Sequence, residues 1–273
     1  MNIHRKTTVR TLTVAFAALS NACAVSVQEE VQMGQEYSAQ INAQLPIVQD
    51  AEINRYVNVL GDSLAKLADP RDLDYRFFVV NAAEVNAFAV PGGFIYVNRG
   101  LIDRTTSLSQ LAGDLGHEIG HVVRRHSVKQ MQKAQGANVG IVLGCTLLGV
   151  CNSQATGAAI EIGGAALFAK FSRDDENEAD VEAVKNVVRA GLDPRGIPQM
   201  FQILLNERAA RPAAVEGWFT SHPGEEERIR STEALIAQYD PAILRTLTVT
   251  TPTFASIQAR VRALPPPPPP QRR

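Results

Sequence analysis

Apolar residues along the chain keep two different periods, and the change between them marks the elements. From Gln28 to Leu45, Val31, Tyr37, Ile41 and Leu45 stand among Gln and Glu and Pro46 follows, which predicts an amphipathic helix. Asp50 is placed to cap a second helix, in which Ile53, Tyr56, Val57, Leu60, Leu64 and Leu67 keep a helical period until Asp69-Pro70 stops it. Tyr75 to Val80, Val85 to Val90 and Phe94 to Val97 then read as three short strands of a small sheet, with Pro91-Gly92-Gly93 as the turn between the last two. A helical run from about Ser107 to His126 follows, its apolar back formed by Leu108, Leu111, Leu115, Ile119 and Val122. The Gly- and Ala-rich stretch from Gly136 to Lys170 is interrupted by Asn152-Ser153-Gln154 and by Glu161. Neither half reaches the roughly 20 residues of a membrane span, so a buried or membrane-surface helical hairpin is expected. Further helices are predicted from Phe171 to Gly191, from Pro194 to Arg208 and from Gly224 to Tyr239, and Pro265 to Pro270 reads as a stiff polyproline II tail. The pattern is that of a mainly helical α+β fold.

With 273 residues, 45% of them hydrophobic and 20% charged, the chain can bury one substantial core. A net charge of -1 offers no basic field, which argues against nucleic acid as a partner. The first residues change the picture more. His4, Arg5, Lys6 and Arg10 precede an apolar stretch from Thr11 to Leu19 and small residues from Ser20 to Ala24, so residues 1–23 read as a secretory signal peptide. Ser20-Asn21-Ala22-Cys23 resembles a bacterial lipoprotein box with Cys23 as the lipidated residue, although Leu19 stands four places before the cysteine rather than three. Ala22-Cys23-Ala24 also fits a cleavage site that would discard Cys23. Both routes export the protein. In an oxidising compartment Cys145 and Cys151 can form a local disulfide if Gly149 and Asn152 turn the chain, and are otherwise two small buried hydrophobes.

The chemistry concentrates in His117-Glu118-Ile119-Gly120-His121. Residues four apart share a helix face, so both imidazoles can address one metal ion, while Glu118, rotated by about 100°, is placed to act as a general base. His126, five residues past His121, is expected to face some 140° away as a surface or packing histidine. A catalytic zinc site wants three protein ligands. On the helix after Phe171, Glu176 and Asp180 lie one turn apart, so Glu176 can bind the metal while Asp180 orients a ligand histidine. The same spacing also suits a solvated acidic helix start. The strand segment Asn86-Ala87-Phe88-Ala89 is the candidate sheet edge that would take an extended peptide as an added strand; a plain core strand is the other reading.

These segments together resemble the M48 family of zinc metallopeptidases, in particular its exported bacterial members. The resemblance rests on His117-Glu-Ile-Gly-His121, on Ser172-Arg173-x-x-Glu176-x-x-x-Asp180, on Ser221-His222-Pro223 followed by Glu227-Arg228-Ile229, and on the strand Asn86 to Tyr96. It covers roughly Gln28 to Tyr239. It implies a zincin-like metallopeptidase domain over residues 28–240, with its sheet beside the HExxH helix, and a C-terminal extension over 241–273 ending in a disordered proline-rich tail. It further implies one Zn2+ per chain held by His117, His121 and Glu176, Glu118 as catalytic base, Asp180 as the carboxylate behind a ligand histidine, and Arg228 as active-site support. His222 would approach the zinc as a fourth ligand that makes the resting enzyme latent; a helix cap or a contact to the substrate carbonyl are its other readings. No tetratricopeptide repeat pattern follows, so the partner-docking domain of some relatives is not expected. The resulting expectation is a zinc metalloendopeptidase of the bacterial cell envelope that removes misfolded or unassembled envelope proteins. It would be periplasmic, and held at the outer membrane if Cys23 carries lipid. The alternative is a non-catalytic periplasmic chaperone or assembly factor with a structural zinc.

Overall fold

The computed structural model describes residues 25–134 and 170–267. The signal segment with Cys23, the pair Cys145 and Cys151, the Gly- and Ala-rich run short of Lys170 and Pro268 to Pro270 lie outside the described residues. Helix α1 (Val27–Gln44) opens with a capping box in which Ser26 and Glu29 satisfy each other's backbone N–H groups. Helix α2 (Ala51–Ala68) is capped by Asp50, whose carboxylate accepts from the N–H groups of Glu52 and Ile53. Strands β1 (Arg76–Val80), β2 (Ala87–Val90) and β3 (Phe94–Asn98) form one sheet in the order β1-β3-β2, with β1 parallel and β2 antiparallel to β3. Gly92 and Gly93, at φ 79° and 94°, make the tight turn between β2 and β3 that side chains would resist. In the described sheet β2 is an outer strand, hydrogen-bonded to β3.

One face of the sheet packs Phe77, Val79, Ile95 and Val97 against α2 and α4 (Leu108–Val123), which follows the short α3 (Arg99–Arg104). The other face stacks Phe78, Tyr96 and Phe88 at centroid spacings of 4.9 Å beneath α1 and a helical stretch over residues 126–134. Helices α5 (Arg173–Arg189), α6 (Gly196–Ala210), the short α7 (Glu216–Ser221) and α8 (Glu225–Ile236) cover the remaining side of α4. The segment expected as a C-terminal extension over 241–273 carries helices of its own: after α9 (Pro241–Leu244), helix α10 (Pro252–Arg262) buries Phe254 and Val261 against α2 and α3. Gln258 donates to the carbonyls of Ile102 and Thr105. The packed core therefore runs past residue 240, because the apolar positions 254, 257 and 261 form a stripe that the surface of α2 is shaped to receive.

Helices α4 and α5 pack closely, and small residues allow it. A Cβ on Gly120 would stand 2.8 Å from the carbonyl oxygen of Ala179 and 2.9 Å from its Cα, backbone atoms that cannot step aside. Gly120→Ala is accordingly expected to force the two helices apart, destabilising the fold by about 1–3 kcal/mol and lowering metal content, which thermal melting and metal analysis would register. Unchanged values in both would contradict the close approach.

Asp69, at the end of α2, ties α2 to the loop before β1. Burial pushes its carboxyl up, but hydrogen bonds from the Arg71 side chain and backbone and from the Tyr75 hydroxyl reverse this and hold it below its usual range. A folded value below the unfolded one, about 3.9, gives stability that is fully present above it and lost as pH falls through the folded value. The stability gap between wild type and Asp69→Asn should therefore be full at pH 6 and narrow below about pH 4. A gap independent of pH would remove the ion pair from the account.

Candidate metal centre

Helix α4 carries His117, Glu118 and His121 into the core, where each is at most 1% exposed. Helix α5 begins at a capping box between Ser172 and Asp175, which fixes its first turn and so delivers Glu176 beside the two histidines. His222 follows the last turn of α7 and points inward, 1% exposed. The helix after it is capped by Gly224 with no side-chain bond, so His222 is not its cap.

One ligand atom from each of His117, His121, Glu176 and His222 lies within 4.8 Å of all the others. His117 Nε2 is 3.0 Å from His121 Nε2 and 3.4 Å from His222 Nδ1. Glu176 oxygens are 3.1 Å from His222 Nδ1, 3.5 Å from His117 Nε2 and 3.6 Å from His121 Nε2. A tetrahedral ion with bonds of about 2.0–2.1 Å spaces its ligand atoms about 3.3 Å apart. These separations, measured from both Glu176 oxygens, lie near that value, and a set of three imidazoles and one carboxylate suits zinc's ligand preference.

The surrounding charges hold this set in place. Asp180 Oδ1 is 2.9 Å from His117 Nδ1, the geometry of a carboxylate that orients an imidazole from behind. Arg228 donates from Nε and Nη2 to both oxygens of Asp180, at 2.8 and 2.7 Å, places Nη1 2.6 Å from Glu176 Oε2 and lies over the Phe201 ring. It is 2% exposed, an interior arginine held among these groups. Burial and the Arg228 charge pull the His117 imidazole down, but hydrogen bonds to Asp180 and Glu176 outweigh them and it is pushed up to about 9. An incoming cation must displace that proton, so affinity for metal falls as pH falls. Burial pulls His121 well below its usual range. Glu176 is held well below the usual carboxylate range by His222 and Arg228 against the opposing effect of burial.

Glu118 differs from the other acids. Burial pushes its carboxyl up, with His222 and His117 opposing, and neither of its oxygens has a hydrogen-bond partner among the described residues. Oε1 stands 3.6 Å from His222 Nε2. A buried carboxylate with unused acceptors beside a metal cluster is equipped to take a proton from a molecule brought to the ion.

The sequence profile of peptidase family M48 matches residues 49–236. The chain belongs to this family. Its M48 relatives include the beta-barrel assembly-enhancing proteases of Escherichia coli strain K12, 30% identical over 230 residues, and of Yersinia pestis, 31% identical over 229 residues. Each alignment takes in 81% of this chain but only 46% and 47% of the relative, so the chain spans about half the length of these proteins. Metalloprotease LoiP of Escherichia coli strain K12 is 28% identical over 179 residues, 66% of this chain and 69% of its own length.

The structure brings together the sequence-predicted residues His117, Glu118, His121, Glu176, Asp180, His222 and Arg228, and places Asn86 to Ala89 at the sheet edge next to α4. It corrects His126. Helix α4 ends at Val123 instead of running on, Arg125 adopts the left-handed conformation at φ 57°, and the chain turns back so that His126 is fully buried with Nδ1 2.8 Å from His121 Nδ1. Regular helical rotation past the break does not apply. Sequence reasoning also gave no role to Phe171, whose ring stacks on His121 at 3.9 Å, or to Trp218, whose ring lies 4.6 Å from His222. The one available signal was position, since each aromatic stands within four residues of a histidine or of the Ser172 cap.

Proposed function

We propose that this chain is a zinc-dependent metalloendopeptidase of the bacterial cell envelope that hydrolyses peptide bonds in misfolded or unassembled envelope proteins. The convergence of His117, His121 and Glu176 beside Glu118, whose oxygens have no hydrogen-bond partner among the described residues, in a chain of family M48, carries the reading. Those three residues would hold one zinc ion, which would supply Lewis-acid polarisation of the scissile carbonyl and lower the pKa of a water to about 7. Glu118 takes the proton of the attacking water and passes it to the leaving amine. Asp180 and Arg228 keep His117 and Glu176 in register. Strand β2, an outer strand of the described sheet, takes an extended stretch of substrate along Asn86 to Ala89 by backbone hydrogen bonds. A substrate recognised through its backbone must be unfolded locally, which suits clients that have failed to assemble. The names of the beta-barrel assembly-enhancing relatives point the same way. Export through residues 1–23 places the enzyme in the periplasm, and a lipid on Cys23 would hold it at the outer membrane. Among the described residues no helix is long and apolar enough to cross a membrane.

His222 completes a closed set of four ligand atoms, and we read it as the latch of a resting enzyme: its withdrawal opens the position that water and substrate need. The same closed set supports the second reading, a chaperone with a structural zinc. Cleavage of unfolded casein by the mature chain separates them. His222→Ala, at matched zinc content, is expected to cleave at least about tenfold faster than wild type, one order of magnitude being the least that freeing the fourth position should yield. Absence of cleavage by both proteins, together with suppression of casein aggregation, would overturn the peptidase in favour of the chaperone.

A further inference from the structure

We propose that His126 is a positioning residue for the metal site, the middle link of a hydrogen-bonded relay that runs from the carboxylates of Asp175 and Glu178 through His126 to His121. The inference rests on His121 being a metal ligand, as read above. His121 directs Nε2 into the ligand cluster, 3.0 Å from His117 Nε2, so a ligating His121 must keep its lone pair there and carry its proton on Nδ1. That nitrogen is 2.8 Å from Nδ1 of His126, so it donates, and His126 accepts through Nδ1. His126 then carries its own proton on Nε2, which faces Asp175 Oδ1 and Glu178 Oε2 at 3.5 Å each. Each acceptor in the chain selects the tautomer of the next ring, and the last ring presents a bare nitrogen to the ion. Asp180 does for His117 what His126 does for His121.

The fold builds this link deliberately. His126 would lie on another side of α4 if the helix continued. The turn that brings it back depends on the left-handed Arg125, a costly conformation for a residue with a Cβ. Arg125 is tied down by Nε to Glu30 Oε2 at 2.7 Å and by Nη2 to the Val25 carbonyl at 2.6 Å, and Arg71, which also faces Glu30, donates to the Val122 carbonyl at the end of α4. Glu30 is fully buried and serves both arginines. Phe171 packs on the arrangement, stacked on His121 and 6.1 Å from the His126 ring.

The test is zinc affinity by chelator competition, with the histidine tautomers read by 15N NMR on the metal-free protein. His126→Leu, which packs in the same space without an acceptor, is expected to bind zinc about 10–100-fold more weakly. His126→Asn, whose Oδ1 takes the place of Nδ1, should recover most of that loss. In the wild type His121 should carry its proton on Nδ1 and His126 on Nε2. Glu178→Gln, at an exposed position that leaves the Ser172–Asp175 capping box untouched, should weaken zinc less than His126→Leu while loosening the tautomer preference of His126, so the relay stays testable if the leucine variant does not fold. A folded His126→Leu with affinity within twofold of wild type, an asparagine variant no better than leucine, or an Nε2 proton on His121 would each overturn the relay while leaving the metal site standing. A wild type that binds no zinc would overturn the site and the relay together.

Discussion

Glu118→Gln is expected to retain zinc and to lose peptide-bond hydrolysis by roughly 10²–10⁴-fold, the usual worth of a positioned general base. The amide has the shape of the carboxyl and its neighbours are already accommodated, so the four-ligand cluster, to which Glu118 contributes no atom, should keep its geometry. What disappears is an acceptor able to take up a full proton. Both Glu118 oxygens lack partners among the described residues, so the substitution breaks no hydrogen bond there. The comparison is best made in the His222→Ala background, where the latch does not mask the chemistry, with metal content measured on the same samples. Proteolysis at the parent rate in a zinc-loaded Glu118→Gln protein would remove Glu118 as the base.

Arg228→Leu is expected to cost about 3–5 kcal/mol of folding stability, the range for stripping the partner from a buried charge. The guanidinium is the shared counter-charge of Asp180 and Glu176, and all three are at most 2% exposed. Leucine leaves two carboxylates within the same interior and fills too little of the space over Phe201. For a chain of this size each kcal/mol moves Tm by about 2–4 °C, so a fall of roughly 6–20 °C should be seen. Arg228→Lys should recover only part of it, because a single ammonium cannot reproduce the paired contacts to both Asp180 oxygens and a third to Glu176. A Tm within about 2 °C of wild type for Arg228→Leu would mean that the carboxylates are balanced by other means.

Stability and zinc are coupled in such a variant, since a metal that binds the folded state adds to its stability. Melting in the presence of excess chelator isolates the contribution of Arg228 to the fold. Melting with saturating zinc reports the site as a whole. A loss seen only with zinc would restrict Arg228 to metal binding; a loss seen in both is the expected result.

Local chemistry was legible along the chain. Asp50 and the Asp69 stop gave α2 its ends, the Pro91-Gly92-Gly93 turn separated β2 from β3, and the His117-Glu118-His121 spacing announced a metal, because each of these depends on atoms within a few residues of one another. The acids were legible as candidates: Glu176 and Asp180 share a helix face whatever the rest of the chain does. Their distance from His117, the position of Arg228 between them and the inward turn of His222 required the packing of α5, α7 and α8 on α4. The residues most distant in sequence were the least readable. Glu30, 95 positions before Arg125, holds the turn on which the placement of His126 depends, and no local pattern joins them.

The sequence by itself determined most of the helices and strands and the helical spacing of His117, Glu118 and His121, since propensity, capping and the 3.6-residue period act over one or two turns. The tertiary structure decided which carboxylate meets which imidazole, that α10 belongs to the core and that His126 lies behind His121. Those outcomes depend on how closely helices can approach and on where a chain break redirects them. A glycine at position 120 and a buried acid at position 30 control both, through contacts that form only once the chain has folded.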